Sequence, residues 1–137
     1  MEHLVFVYGT LKRGQWNHHL LRGQTHVGNG ETKEKFALYA LAFPWLTKNG
    51  RPGDAPSTVS GEVYSVDERT LQRLDSLEGY PYHYDRMRVE VHLSLGTVVR
   101  AWAYYVESAE SIPRSAVFLP DGYYRDSPHL SIYSDAV

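Results

Sequence analysis

The sequence contains no cysteine among its 137 residues. A disulfide scaffold, a thiolate zinc site and a cysteine nucleophile are therefore excluded together. Neither sign of charge dominates, because 14 Lys and Arg face 16 Asp and Glu, and this balance argues against a basic nucleic-acid-binding surface. No run approaches the roughly 18 apolar residues of a membrane span, and the first residues lack a signal-peptide pattern. We therefore expect a soluble, cytoplasmic protein that binds neither nucleic acid nor membrane.

The length and composition are those of one ordinary globular domain. We expect a single domain over residues 1–137, because domains usually contain roughly 100–200 residues and no internal repeat or linker interrupts this chain. Tyrosine is unusually frequent, with 11 Tyr against 4 Phe. Tyrosine combines an apolar ring with a polar hydroxyl, so this excess is typical of strands that line a partly wet cavity. The alternative is that tyrosine fills half-buried strand positions.

Hydrophobic patterning predicts strands over most of the chain. The candidates are 3–8, 33–48 (one or two strands, interrupted by Pro44), 58–66, 86–95 and 98–106. The clearest is 86–95, where apolar residues from Met87 to Leu95 alternate with polar ones. A turn at Gly96 and Thr97 would join it to 98–106 as an antiparallel hairpin. Turn-forming residues over 49–56 predict an exposed loop, and Gly61 predicts a bulge or a close backbone approach.

One helix is predicted between these strand blocks. Asp67 is a good N-cap, and Gly79 followed by Pro81 ends the helix. Leu71, Leu74 and Leu77 are three residues apart and form one apolar stripe. The order of elements predicts an α+β fold with a mixed or mostly antiparallel sheet, which could close into a small barrel.

Glu78 is the most informative polar residue. It follows Leu74 by four positions and Leu71 by seven, so the helical period places its carboxylate on the core-facing stripe. Burial and the negative end of the helix dipole should both raise its pKa, as a general base or acid near neutral pH requires. The alternative is that the helix frays at Gly79 and Glu78 turns to solvent.

The segment from Tyr8 to Gly14 leaves the first strand as a glycine-containing turn. Consecutive main-chain N–H groups in such a turn can bind a carboxylate or an oxyanion. Gln15 and Trp16 replace the Lys-Ser/Thr pair that would complete a nucleotide-binding P-loop, so that motif is rejected. An ordinary turn is the alternative.

Other catalytic arrangements find little support. The adjacent His18 and His19 do not have the spacing of metal ligands, so we expect no metal site. No G-x-S-x-G segment is present to anchor a serine triad. Asp75 and Glu78 lie side by side on one helix and cannot face each other across a sugar, which argues against a glycosidase.

Three ordered segments resemble the landmarks of the γ-glutamylcyclotransferase-like superfamily. They are residues 4–14 (LVFVYGTLKRG), residues 61–64 (GEVY), and residues 74–81 (LDSLEGYP) with Tyr84-Asp85-Arg86. The resemblance extends from about residue 4 to residue 106, and the continuation QWNH at 15–18 is most similar to the γ-glutamylamine cyclotransferase branch. The segment after Glu78, Gly-Tyr-Pro, is more similar to bacterial relatives, one of which removes a γ-glutamyl protecting group during aminoglycoside assembly.

The resemblance implies a fold, an activity and a site. The fold is a small mixed, mostly antiparallel β-barrel with flanking helices, and the activity is a lyase reaction that converts a γ-glutamyl amine to 5-oxoproline and a free amine. It places the catalytic glutamate at Glu78 and the substrate-holding loop at Tyr8, Gly9, Thr10 and Leu11. It implies no cofactor and a small-molecule substrate. We expect a monomer or weak homo-oligomer.

Two functional alternatives stay open from the sequence. One is a binding module that keeps the pocket to sense a glutamyl-type metabolite without turnover. The other is a deprotecting cyclotransferase in antibiotic or other secondary-metabolite biosynthesis.

Two residues beyond the helix complete the expectations. We predict that the Tyr84 hydroxyl reaches the pocket and positions the substrate, with a plain core aromatic as the alternative. Arg86 is predicted to be a structural partner of a nearby carboxylate. Residues 107–137 would either close over the pocket or cap the barrel.

Overall fold

The computed structural model describes residues 2–15, 17–41 and 43–124. Within these ranges, eight strands and one α-helix follow one another. They are β1 (His3–Val7), β2 (Thr25–Thr32), β3 (Ala37–Ala40), β4 (Pro44–Thr47), β5 (Ser60–Val66), α1 (Glu68–Glu78), β6 (Asp85–Leu93), β7 (Val98–Tyr105) and β8 (Val117–Phe118). Short 3₁₀ helices lie at His18–Leu21 and Ala109–Ser111. None of the helices within these ranges is long and apolar enough to cross a membrane.

Five strands close into a barrel in the order β1-β5-β2-β6-β7. Closure is made by a parallel pairing of β1 with β7, in which Val5 is the partner of Trp102. The other neighbours in the barrel are antiparallel. A separate three-stranded sheet has the order β4-β3-β8. This arrangement confirms the predicted α+β fold with a small, mostly antiparallel barrel.

The first strand is buried on both faces. Val5 and Val7 belong to the hydrophobic cluster that also contains Leu71 and Leu74 of α1, whereas Phe6 and Tyr8 belong to a second cluster. Successive side chains of a strand point to opposite faces, so one short apolar run serves both clusters. The end of β1 therefore lies next to the helix that packs on the barrel.

The helix forms as predicted. The Asp67 side chain accepts a hydrogen bond from the Thr70 N–H at 2.7 Å, which is the expected N-cap. Gly79 ends the helix in the left-handed conformation, with φ of 65°. Leu71 and Leu74 are buried on the predicted stripe, and Leu77 is partly buried.

Several details of the strand prediction are wrong, and the two-residue strand β8 was not predicted. β2 was not predicted, because its sequence THVGNGET carries two glycines and little apolar alternation. A Cβ at Gly30 would collide with the backbone of His92, so glycine is needed for β2 to lie against β6. Pro44 begins β4 instead of interrupting a strand, since the first position of a strand tolerates a residue without an N–H. Leu95 lies in the turn after β6 and is 86% exposed.

Gly61 makes the close backbone approach that its position in the sequence predicts. A Cβ there would collide with the Val7 carbonyl oxygen. The register shift of the barrel lies instead in β2, between His26 and Gly28. The loop over 49–56 is confirmed, since it contains no strand or helix.

We expect Leu74→Ala to lower the free energy of unfolding by about 2–5 kcal/mol, because Leu74 is fully buried between α1 and the barrel. Leu95→Ala is the matched control and should change it by less than about 0.5 kcal/mol. Urea denaturation at constant pH measures both. Equal midpoints for the two variants would contradict the packing described for α1.

Candidate functional site

A cavity of about 620 Å³ opens between the end of α1, the loop after β1 and the start of β4. Its lining includes four of the 11 tyrosines of the chain, Tyr8, Tyr82, Tyr84 and Tyr104. Tyr8, Tyr84 and Tyr104 are buried and form the inner part of the cavity, whereas Tyr82 is 93% exposed. Of these four, only Tyr104 belongs to a strand, so the expectation that tyrosine-bearing strands line a cavity is confirmed for Tyr104 alone.

Glu78 is the last residue of α1 and lines this cavity. The Gly79 N–H donates to the Ser76 carbonyl and the Tyr80 N–H donates to the Asp75 carbonyl, which is the Schellman pattern of helix ends. The Tyr84 N–H also donates to the Glu78 carbonyl at 3.3 Å. These bonds hold the last helical turn in place, so the helix does not fray and Glu78 keeps its inward direction.

The Glu78 carboxyl group lies in a weakly polar environment. Burial raises its pKa to about 7. No side chain or N–H group in the described part of the chain donates a hydrogen bond to it, although the residue is partly exposed towards the cavity. A carboxyl group that changes protonation state near neutral pH can accept a proton and return it.

Three buried tyrosines surround the inner part of the cavity. The Tyr8 hydroxyl donates to the Tyr104 carbonyl at 2.7 Å, and the Tyr84 hydroxyl donates to the Pro44 carbonyl at 2.7 Å. Burial, with the negative charge of Glu78 as a lesser cause, raises the pKa of both hydroxyls. Both therefore stay protonated at neutral pH, and their oxygens can still accept hydrogen bonds from a ligand.

The loop after β1 lines the cavity with residues whose main-chain N–H groups have no acceptor among the described residues. Gly9, Thr10 and Leu11 line it, and their N–H groups donate to no described residue. The buried Asn17 fixes the loop, because its N–H donates to the Thr10 carbonyl at 2.9 Å and its side chain to the Thr10 hydroxyl at 3.1 Å. Such free N–H groups can bind an anionic oxygen.

Gly9 is required here by protein packing. A Cβ on Gly9 would collide with the ring carbons of Pro44. The loop after β1 and the start of β4 therefore touch directly, and together they close one side of the cavity.

All six predicted site residues line this one cavity. They are Glu78, Tyr8, Gly9, Thr10, Leu11 and Tyr84. Their chemical roles stay predictions. The lining also contains residues that were not predicted from the sequence, namely Asn17, Tyr104 and 43–45. The tyrosine count was a signal for Tyr104, whereas nothing in the sequence placed β4 beside the barrel.

Asp75 and Arg86 lie beside the cavity and interact with each other. Arg86 Nε is 3.5 Å from Asp75 Oδ1, which confirms the predicted carboxylate partner, and the Tyr104 hydroxyl donates to the same oxygen at 2.6 Å. The guanidinium group also stacks on the rings of Tyr80 and Trp102. Asp75 therefore makes structural contacts. Because Asp75 and Glu78 lie on the same helix, they do not form the pair of facing carboxylates that a glycosidase uses.

The structure adds two observations on metals and on the last part of the chain. Within residues 2–15, 17–41 and 43–124, no group of three or more His, Asp or Glu side chains could hold a metal ion. The His18 ring lies 3.0 Å from the Leu11 carbonyl oxygen.

Ser111 lines the cavity, and β8 pairs with β3, so residues 107–124 touch both the cavity and the small sheet. Residues 125–137 lie outside the described ranges.

Comparison with known proteins identifies relatives across nearly the whole chain. An archaeal protein from Methanocaldococcus jannaschii, provisionally named a gamma-glutamylcyclotransferase, is 41% identical over 124 residues, which cover 89% of this chain and 95% of the relative. The human gamma-glutamylaminecyclotransferase is 37% identical over 147 aligned positions, covering 92% of each chain. A crystal structure of an AIG2-like protein from Mus musculus superposes with a TM-score of 0.75 at 30% identity, covering 93% of this chain and 92% of that one.

The family match covers the elements that build the cavity. Residues 5–126 match the family described as gamma-glutamyl cyclotransferase, AIG2-like. This range includes the loop after β1, the whole of α1 and the strand that carries Tyr104. The chain belongs to the gamma-glutamyl cyclotransferase, AIG2-like family.

Proposed function

We propose that this protein converts γ-glutamyl amines to 5-oxoproline and a free amine without a cofactor. The observation that carries the proposal is a single carboxyl group, Glu78, whose pKa is about 7 in a cavity that Gly9, Thr10 and Leu11 also line. The human relative is named for γ-glutamylamine substrates, which supports an amine as the leaving group.

The substrate itself supplies the nucleophile of this reaction. The α-nitrogen of a γ-glutamyl amide reaches the γ-carbonyl carbon through a five-membered ring, so the attack is intramolecular and has a high effective molarity. The protein then has to orient the chain, accept protons and stabilise the developing oxyanion. The residues of the cavity suit these three tasks.

Glu78 is proposed to move the protons. As a carboxylate it takes a proton from the α-ammonium group, which frees the lone pair that attacks the γ-carbonyl carbon. The bond from this carbon to the amine nitrogen then breaks, and the protonated Glu78 returns the proton to the leaving nitrogen. In each turnover two protons pass from the α-nitrogen to the leaving amine, and the amine departs as an ammonium ion. Glu78 is again a carboxylate at the end of the cycle.

The loop and the tyrosines are proposed to hold the substrate. The N–H groups of Gly9, Thr10 and Leu11 would bind either the α-carboxylate or the oxyanion of the tetrahedral intermediate. The hydroxyl oxygen of Tyr84 has donated its hydrogen to Pro44 and can accept one from the α-ammonium group. This contact would orient the α-nitrogen before Glu78 deprotonates it.

We expect Glu78→Gln to lower kcat/KM by about 10²–10⁴-fold, because the amide cannot transfer the protons. The assay measures release of 5-oxoproline from γ-glutamyl-ε-lysine and from a simple γ-glutamyl alkylamine. Glu110→Gln, at an exposed glutamate outside the cavity, is the matched control and should keep wild-type activity. Unchanged turnover in Glu78→Gln would remove the proposed role. Binding of 5-oxoproline by calorimetry without turnover of any γ-glutamyl amide would instead identify a metabolite sensor.

The pH profile should show the ionisation of Glu78. A base must be deprotonated, so kcat/KM of the wild type should fall on the acid side with an apparent pKa of about 7. The profile of the residual activity of Glu78→Gln should lose this acid limb. An acid limb near the ordinary glutamate value of about 4.3 would contradict the described burial.

Glu78 should also lower stability at neutral and alkaline pH. Its pKa is about 7 in the folded protein and about 4.3 when unfolded, so the folded state binds the proton more tightly. Stability is therefore lost as pH rises between these two values and is constant above the higher one. We expect Glu78→Gln to be more stable than the wild type by about 1–3 kcal/mol at about pH 8 and equal to it at about pH 4. A variant that melts below the wild type at about pH 8 would indicate a structural Glu78.

We expect Tyr84→Phe to lower kcat/KM by about tenfold, the effect of losing one hydrogen bond to the substrate. The change also leaves the buried Pro44 carbonyl unpaired, so the free energy of unfolding should fall by about 1–3 kcal/mol. Tyr105→Phe is the matched control, because the Tyr105 hydroxyl donates to Glu107 and does not line the cavity. Steady-state kinetics on the folded variants measures the effect. Equal kcat/KM in the wild type and Tyr84→Phe would leave Tyr84 as a core aromatic.

A further inference from the structure

The cavity has an apolar aromatic side that the proposed reaction does not use. Phe43, Trp45, Leu77 and Tyr82 all line it. We propose that this side receives the leaving group and that the preferred leaving group is an uncharged alkyl or arylalkyl amine, without a second ammonium or carboxylate. The inference rests on the proposed function, since it specifies the amine released by that reaction.

Exposure along the lining gives the orientation of the substrate. The inner part holds the buried Tyr8, Tyr84 and Tyr104, together with the loop N–H groups that suit the glutamyl part. Tyr82, at 93% exposed, lies at the opening. With the glutamyl group at the inner end, a leaving amine of any length has to extend from the γ-carbonyl towards the opening.

The side chains along that path form an apolar surface. The rings of Phe43 and Trp45 contact each other with centroids 4.9 Å apart and planes inclined by 48°. Trp45 is 8% exposed and Phe43 is partly exposed, so the pair presents a fixed ring surface to the cavity. Leu77 lines the same cavity as Glu78, so apolar surface is present in the cavity that holds the proposed acid–base group. An alkyl chain leaving the γ-carbonyl would therefore be removed from water as it passes.

Among the described lining residues, this path offers no free carboxylate and no Lys or Arg side chain for a second charge. Among the described lining residues, none is Lys, Arg or Asp, and the only charged carboxylate is Glu78, which the reaction occupies. The nearby charges are directed elsewhere, since Arg86 pairs with Asp75 between the rings of Tyr80 and Trp102. An ammonium group at the tail of the amine would lose water against Phe43 and Trp45 without an ion pair, which is unfavourable. Attraction to the ring faces offsets this loss only in part.

Three substrates test the preference for the leaving amine separately from the cyclisation reaction. They are γ-glutamylmethylamide, γ-glutamyl-n-hexylamide and γ-glutamyl-5-aminopentylamide, and the last two differ only by CH₃ against NH₃⁺ at the tail. At about pH 8, we expect kcat/KM for the hexylamide to exceed that for the aminopentylamide at least about tenfold. The methylamide does not reach the rings and reports the reaction alone.

Two variants test the named residues. Phe43→Ala should lower the ratio of kcat/KM for the hexylamide to that for the methylamide about tenfold, and Phe43→Leu should restore most of it. Tyr82→Glu introduces a carboxylate at an exposed position that the fold does not need, and it should shift the preference towards the aminopentylamide.

The outcomes distinguish two failures. Turnover of the methylamide with equal kcat/KM for the two long substrates, or with preference for the aminopentylamide, would overturn the amine class and leave the proposed function intact. An unchanged ratio in Phe43→Ala would also overturn it. Absence of 5-oxoproline from all three substrates would refute the proposed function and this inference with it.

Discussion

The end of α1 is the constraint on which the cavity depends. A carboxyl group without a hydrogen-bond donor, at the negative end of a helix, is electrostatically unfavourable and turns to water unless its backbone is fixed. Here the left-handed Gly79 and the hydrogen bonds from Tyr80 and Tyr84 hold the last turn, while Leu74 packs the helix on the barrel. The same hydrogen bonds turn the backbone after the helix, so that Tyr84 lies at the cavity. One helix ending thus sets the direction of Glu78 and of the residue that faces it.

The fold was predictable where side-chain patterns are strong. The apolar run of β1, the capped helix and the alternation in β6 each depend on local chemistry, so the sequence displays them. β2 is not readable in this way, because its stability comes from pairing with β5 on one edge and β6 on the other. Its glycines, unfavourable in an isolated strand, are required by the approach of a neighbouring backbone at Gly30.

The candidate site was likewise predictable from the sequence only in part. Glu78 follows from helical periodicity, and the loop from Tyr8 to Leu11 follows from a glycine turn after a buried strand. Their meeting at one cavity was implied by family resemblance and not by periodicity. The contribution of Phe43–Trp45 depends on how the small sheet docks, and the Val106 N–H bonds the Leu46 carbonyl at 2.9 Å to fix that docking. A contact between elements so distant in sequence leaves no local pattern.

Two of the three inner tyrosines are held by main-chain atoms. Tyr8 donates to the carbonyl of residue 104 and Tyr84 to the carbonyl of residue 44, so neither bond depends on the side chain that the partner residue carries. Within the described residues, the side chains at the neighbouring positions 43 and 82 form no hydrogen bond with this inner part. Mutation can therefore change which molecules the opening admits while the inner geometry is inherited intact. In such an arrangement, single substitutions can produce new substrate specificities without passing through an inactive intermediate protein.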